Sequence, residues 1–246
     1  VVEVFQNRKQ IIVHRIETFD GEVDLKNFLR QSDKDPEEML QDLLTHVNKM
    51  EKEPLKQLVL SVLTDPTIKP LLLVAPAAKT IHHAKMGGLL EHILSIVKLA
   101  EPVAQHYDYL DGDLLIFGAI FHDIGKIWEL SIDDKGIRYT DKGRLLGHMV
   151  MAVELVEKKA SQIFNFPEDL KDICKHMILS HHGKLEYGSP KLPQTMEAYM
   201  VWLLDDMDSK MDSIRHAMSL KLEDGTWSQF SQLFQRHFYL KTKQWD

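Results

Sequence analysis

The sequence predicts an all-α domain led by a short β-hairpin, and three observations carry that prediction. From about residue 32 onward apolar residues recur at helical spacing, as in Met39, Leu40, Leu43, Leu44 and Val47. Strand-like patterning is confined to the first 20 residues and to one brief stretch after Glu129. A hydrophobic content of 44% over 246 residues is enough for a complete core and excludes disorder as a general description.

Val2 and Val4, then Ile11, Val13 and Ile16, flank a polar turn at Gln6-Asn7-Arg8-Lys9 and predict the hairpin. Two strands alone are marginally stable, so residues 1–20 are expected to end a β domain that lies mostly outside this sequence, which opens on Val1 rather than Met. Asp35 before Pro36 forms an N-cap and first-turn pair for the first helix. Further helices are expected at 54–65, 66–74, 87–107, 112–124, 143–164, 167–182, 194–219 and 227–239. A second hairpin is expected from 130–132 and 137–139 around Asp133-Asp134-Lys135-Gly136. The sequence holds no internal repeat and no low-complexity tract.

Composition narrows the function. With 30 Lys+Arg against 37 Asp+Glu the formal net charge is −7, which argues against a wholesale cationic nucleic-acid binder but leaves room for a local basic groove or for a metal that supplies positive charge. The longest apolar stretches, 71–78 and 114–121, fall far short of the roughly 20 residues that cross a membrane. Cys174 stands alone and no charged-then-apolar leader opens the chain, so a reducing, cytoplasmic compartment is expected.

Histidine occurs 13 times, and several copies fall on apolar faces. In the 87–107 helix, His92 lies among Leu89, Ile93, Ile96, Val97 and Ala100. In the 143–164 helix, His148 lies among Leu145, Met149, Ala152 and Leu155. The 112–124 helix ends abruptly in His122-Asp123, and the 167–182 helix turns Ile173, Met177 and Ile178 inward before ending in His181-His182. In the 194–219 helix Ala198, Val201 and Asp205 stand at i, i+3 and i+7, which points a carboxylate at the core. Taken singly, each histidine is more simply a hydrogen-bonded core residue. Asp205 resists that account, because an unpaired ionised carboxylate in a core is costly. Together these residues read as a catalytic metal centre: imidazole and carboxylate ligands suit Mn, Fe, Co, Ni or Zn, and the lack of Cys argues against a closed structural zinc site.

The ordered set, with His122-Asp123-Ile124-Gly125-Lys126, resembles the HD superfamily of metal-dependent phosphohydrolases. Three further segments resemble its YhaM-type 3′-to-5′ exoribonucleases, in which an OB-fold precedes an HD domain. These are Lys79-Thr80-Ile81-His82-His83-Ala84, Gly87-Gly88-Leu89-Leu90-Glu91-His92, and the run from Ser180-His181-His182-Gly183-Lys184 through Tyr187-Gly188-Ser189-Pro190. The stretch Leu204-Asp205-Asp206-Met207-Asp208 continues the likeness, which covers about residues 1–215. It implies that 1–20 are the last OB-fold strands and that 21–246 form the HD helical bundle, with a metal core at about 80–215. Tyr187-Gly188-Ser189-Pro190 stands where the cyclic-dinucleotide branch carries Gly-Tyr-Pro, which argues against that substrate.

The resemblance further implies one or two divalent ions, with Mn or Fe favoured. His92, His122, Asp123 and Asp205 would hold the first, and Asp123 would bridge to a second held by His148, His181 and His182. The choice of Asp205 among Asp205, Asp206 and Asp208 follows the family pattern and the helical face, with Asp206 one register away. Two such cations can lower the pKa of a shared water towards 7 and polarise a phosphoryl oxygen. Lys126, four residues after His122, is expected either to serve catalysis, by neutralising charge on the phosphate or by protonating the leaving oxygen, or to be a solvated lysine at a helix C-terminus. His82, His83 and Arg144 are candidates for holding the scissile phosphate or orienting ligands, with a structural role equally open. The expected activity is 3′-to-5′ hydrolysis of single-stranded RNA, with DNA a further candidate. The alternatives are a phosphohydrolase of nucleotides or cyclic nucleotides and a non-catalytic regulatory HD module. A homo-oligomer is left open, and no membrane partner is expected. In the C-terminal stretch, Phe230, Phe234 and Phe238 at intervals of four are read as a core-facing stripe in preference to a base-stacking surface.

Overall fold

A computed structural model describes residues 2–5, 8–18, 21, 31–79, 85–133, 136–220, 222 and 225–241. The chain opens with β1 (Val2–Phe5) and β2 (Arg8–Ile11), antiparallel with Val2 opposite Ile11 and Phe5 opposite Arg8. The register corrects the expected turn: Arg8 and Lys9 belong to the second strand, which ends before Val13 and Ile16.

The helical body begins where Asp35 was expected to cap it. Its carboxylate accepts the backbone N–H groups of Glu37 at 2.8 Å and Glu38 at 3.0 Å, and α1 (Pro36–Asn48) follows. Next come α2 (Glu53–Leu63), α3 (Lys69–Val74), α4 (Gly88–His106) and α5 (Gly112–Phe121). Every residue of α5 from Leu114 to Phe121 is buried, and a helix that is apolar on all sides belongs in an interior. It packs against α2 and α4 and, from later in the chain, against α8 (Glu168–Ser180) and α9 (Met196–Ser219). The rings of Phe117 and Phe121 stack at its centre, 4.4 Å apart and 16° from parallel.

The polar His122-Asp123 pair ends α5, and the chain turns through Gly125 into the single-turn α6 (Lys126–Glu129). The predicted 112–124 helix is thus shorter, and α6 is a separate element. Strands β3 (Leu130–Asp133) and β4 (Gly136–Tyr139) form the expected hairpin. Helix α7 (Asp141–Ala160) follows, capped by the Thr140 hydroxyl on the Gly143 N–H. Gly147, at φ 75° and ψ 159°, breaks the helical path of α7. Because of that kink Leu145 is 83% exposed, against the expectation that it shares the apolar face, while His148, Met149, Ala152 and Leu155 are buried.

The helix expected at 227–239 does not form. Antiparallel bridges pair Trp227 with Tyr239 and Ser231 with Arg236, and the Phe238 N–H donates to the Ser228 hydroxyl at 2.9 Å. Serine hydroxyls that engage nearby backbone compete with helix, and aromatic residues lose rotamer freedom in one. Phe230 is exposed and Phe234 packs on Phe238 at 5.5 Å, so the three rings are not a core stripe. Among the described residues, no helix is long and apolar enough to cross a membrane.

Candidate metal centre

Five helices and the turn after α5 converge on one interior point. Helix α4 supplies His92, the end of α5 supplies His122 and Asp123, α7 supplies His148 just after its kink, the end of α8 supplies His181 and His182, and α9 supplies Asp205. The ligand atoms of His92, His122 and Asp123 lie within 4.8 Å of one another, and so do those of His148, His181 and His182. Asp205 Oδ1 joins the first group, 3.1 Å from His92 Nε2 and 3.8 Å from His122 Nε2. Asp123 stands between the groups. Its Oδ2 lies 3.4 Å from His122 Nε2 and 3.8 Å from His92 Nε2, while its Oδ1 lies 3.5 Å from His148 Nε2 and 3.7 Å from His181 Nε2.

Each imidazole is held from behind. The Nδ1–H donates to a backbone carbonyl in three cases: His122 to Ala119 at 3.0 Å, His181 to Ile178 at 2.7 Å and His182 to Tyr187 at 2.8 Å. A carbonyl can only accept, so the proton sits on Nδ1 and the Nε2 lone pair faces the cluster. The other two use carboxylates. His148 Nδ1 meets Glu129 Oε1 at 3.0 Å, and the same oxygen accepts the His148 backbone N–H at 3.0 Å. His92 Nδ1 meets Asp208 Oδ2 at 2.8 Å, and the Ser95 hydroxyl donates to the other Asp208 oxygen.

These residues fit divalent cations. Asp123 Oδ1, His148 Nε2 and His181 Nε2 are buried without a hydrogen-bond partner. A buried acceptor left unsatisfied costs about 1–3 kcal/mol. Here three face the same place, an arrangement that a shared cation compensates. The protonation states agree. Burial pushes His181 well below the usual histidine range and lowers His182 as well, so both imidazoles are neutral near pH 7. Burial of Asp123 works against its ionisation, but the Lys126 ammonium leads the effects that hold the carboxyl well below the ordinary carboxylate range. His92 runs the other way: burial disfavours its charge, yet the carboxylates of Asp205 and Asp208 carry its pKa up to about 9.

Of the three nearby aspartates, Asp205 faces the cluster, Asp206 pairs with Lys210 at 2.6 Å on the surface, and Asp208 stands behind His92. Lys126 is not a solvated lysine at the end of α5. It opens α6, and its Nζ lies 2.6 Å from Asp123 Oδ2 with the side chain only 14% exposed. Arg144 is exposed in the first turn of α7. His82 and His83 lie outside the described residues. Glu129 and Ser95 were not expected from the sequence; Asp208, three residues after Asp205 on the same helical face, was weighed only as an alternative to Asp205, and it stands behind His92 instead.

The HD domain family matches residues 89–210. The chain is 31% identical over 240 residues to the 3′-5′ exoribonuclease YhaM of Halalkalibacterium halodurans, an alignment covering 96% of this chain and 73% of that protein. It is 40% identical over 168 residues to the protein of the same name from Bacillus velezensis, and 39% to that from Bacillus subtilis. Each of those alignments covers 68% of this chain and 52% of the relative, so the chain spans about half the length that the two Bacillus proteins have. No solved structure matches the chain significantly.

Proposed function

The chain belongs to the HD-domain family of metal-dependent phosphohydrolases, and we propose that it is a 3′-to-5′ exonuclease of single-stranded RNA, with DNA a second substrate. The observation that carries this reading is Asp123, whose two oxygens face separate histidine groups across one buried centre. In this reading His92, His122, Asp123 and Asp205 hold one divalent ion, Mn or Fe favoured, and Asp123 with His148, His181 and His182 holds another. Bound there, such ions supply an activated water and a positive field for the phosphoryl oxygens.

The remaining work falls to side chains. Lys126, held against Asp123, offers its ammonium to a phosphoryl oxygen and a proton to the departing sugar oxygen. Asp123 keeps that lysine charged: burial opposes the charge, and the carboxylate more than offsets it. Arg144, exposed four residues before His148, offers a cation to the incoming strand, and His83 is assigned the same task. Residues 1–20 are read as closing strands of an OB-fold that grips the strand upstream of its 3′ end.

The test is a single-stranded RNA labelled at its 5′ end and incubated with the Mn-loaded protein. Stepwise shortening that keeps the label on every shortened strand and releases unlabelled mononucleotides supports the proposal. Turnover confined to mononucleotides or cyclic dinucleotides would replace it with the nucleotide phosphohydrolase reading.

A further inference from the structure

We propose that Glu129 and Asp208 are positioning residues that each govern one of the two metal positions, Glu129 through His148 and Asp208 through His92. The assignment rests on the two-ion reading above. Three of the five imidazoles lean on backbone carbonyls, which are fixed by the helices they belong to and carry no net charge. The two that lean on carboxylates fall in different groups, one on each side of Asp123. A charge-assisted hydrogen bond at Nδ1 fixes the ring more firmly and leaves Nε2 the better electron-pair donor.

Each carboxylate is also built into the frame in a way that a chance contact would not be. Glu129 is buried, and its Oε1 takes both the ring N–H and the backbone N–H of His148. The residue so clamped directly follows Gly147, whose backbone leaves the helical path, and Glu129 accepts the His148 backbone N–H at that point. Asp208, with its side chain 12% exposed, joins α9 to α4 by taking His92 with one oxygen and Ser95 with the other. Ser95 lies three residues after His92, on the same face of α4, so Asp208 holds the ring and the helix that carries it together.

The test is calorimetric titration of Mn²⁺ into the metal-free protein, joined to electron paramagnetic resonance of the loaded protein. The wild type takes up two ions and gives the coupled spectrum of a bridged pair. Glu129→Ala and Asp208→Ala each weaken one ion by about 10–100-fold and leave the other unchanged, so at limiting metal the spectrum becomes that of an isolated ion. The double variant weakens both. Glu129→Gln and Asp208→Asn, which keep an acceptor oxygen but lose the charge, fall between wild type and alanine, and they carry the test should an alanine variant fail to fold by circular dichroism. Two ions at wild-type affinity in Glu129→Ala or in Asp208→Ala, or equal weakening of both ions by either one, would overturn the assignment. A wild type that binds no ion overturns the metal-centre reading itself.

Discussion

Gly125 lies where an added methyl has no room. A Cβ there would sit 2.0 Å from the carbonyl oxygen of His148, 2.8 Å from its carbonyl carbon and 2.9 Å from its Cα. The backbone of Gly125, at φ −64° and ψ −15°, suits any residue, so the glycine serves only to let the turn after Asp123 approach α7. Ordinary contact begins at 3.4 Å, so Gly125→Ala must drive the two segments apart by 3.4 − 2.0 = 1.4 Å. That is nearly three times the ~0.5 Å within which a functional constellation has to be held. It also falls on the backbone of His148, with Asp123 on the other side of the gap. The variant is expected to fold with a loss of about 1–3 kcal/mol, to bind its second metal ion at least tenfold more weakly, and to hydrolyse RNA about 100-fold more slowly. Thermal melting in chelator isolates the fold, Mn²⁺ calorimetry isolates the site, and strand shortening reads the outcome. Wild-type metal affinity together with a wild-type rate would refute the claim that this approach sets the centre.

Other perturbations separate neighbouring residues. Asp205→Ala is expected to weaken metal binding and abolish hydrolysis, whereas Asp206→Ala, which removes only a surface partner of Lys210, should leave both within about twofold; calorimetry and strand shortening check both variants. In the metal-free protein His92 has its pKa raised from 6.5 to about 9, so the stability it contributes is complete below pH 6.5 and lost as pH rises through 9. Melting of the chelated protein should therefore decline over that window. Metal must displace the same proton, so Mn²⁺ affinity should rise more than tenfold between pH 7 and pH 9 and proton release should accompany binding. A pH-independent affinity would contradict the charged His92. Phe117→Ala, which empties the centre of α5, should cost about 3–5 kcal/mol in denaturant unfolding.

Much of the architecture was legible because a buried helical face repeats in the sequence. Leu89, His92, Ile93, Ile96 and Val97 of α4 are all buried, and the expected 87–107 span differs from Gly88–His106 by one residue at each end. The same periodicity drew attention to His148 and Asp205, because a polar residue on an apolar face is visible without coordinates. It failed where local backbone departed from a straight helix. The Gly147 kink turned Leu145 outward, and the Ser228 and Ser231 side chains helped a bridged hairpin win over a helix at 227–239. It was blind to Glu129, which reaches His148 across 19 positions in the chain through a turn that periodicity does not describe. Asp208 carried half a signal: its face was readable, but not that it lies behind His92 while Asp205 lies in front.

Compensation of the buried lone pairs of Asp123, His148 and His181 by cations is open to one decisive measurement. Anomalous diffraction from crystals of the Mn-loaded protein tests it most directly. Two peaks flanking Asp123 are expected, one among His92, His122 and Asp205 and the other among His148, His181 and His182, both gone in Asp123→Ala. Peaks elsewhere, or a wild-type centre that stays free of metal in saturating Mn²⁺, would contradict it.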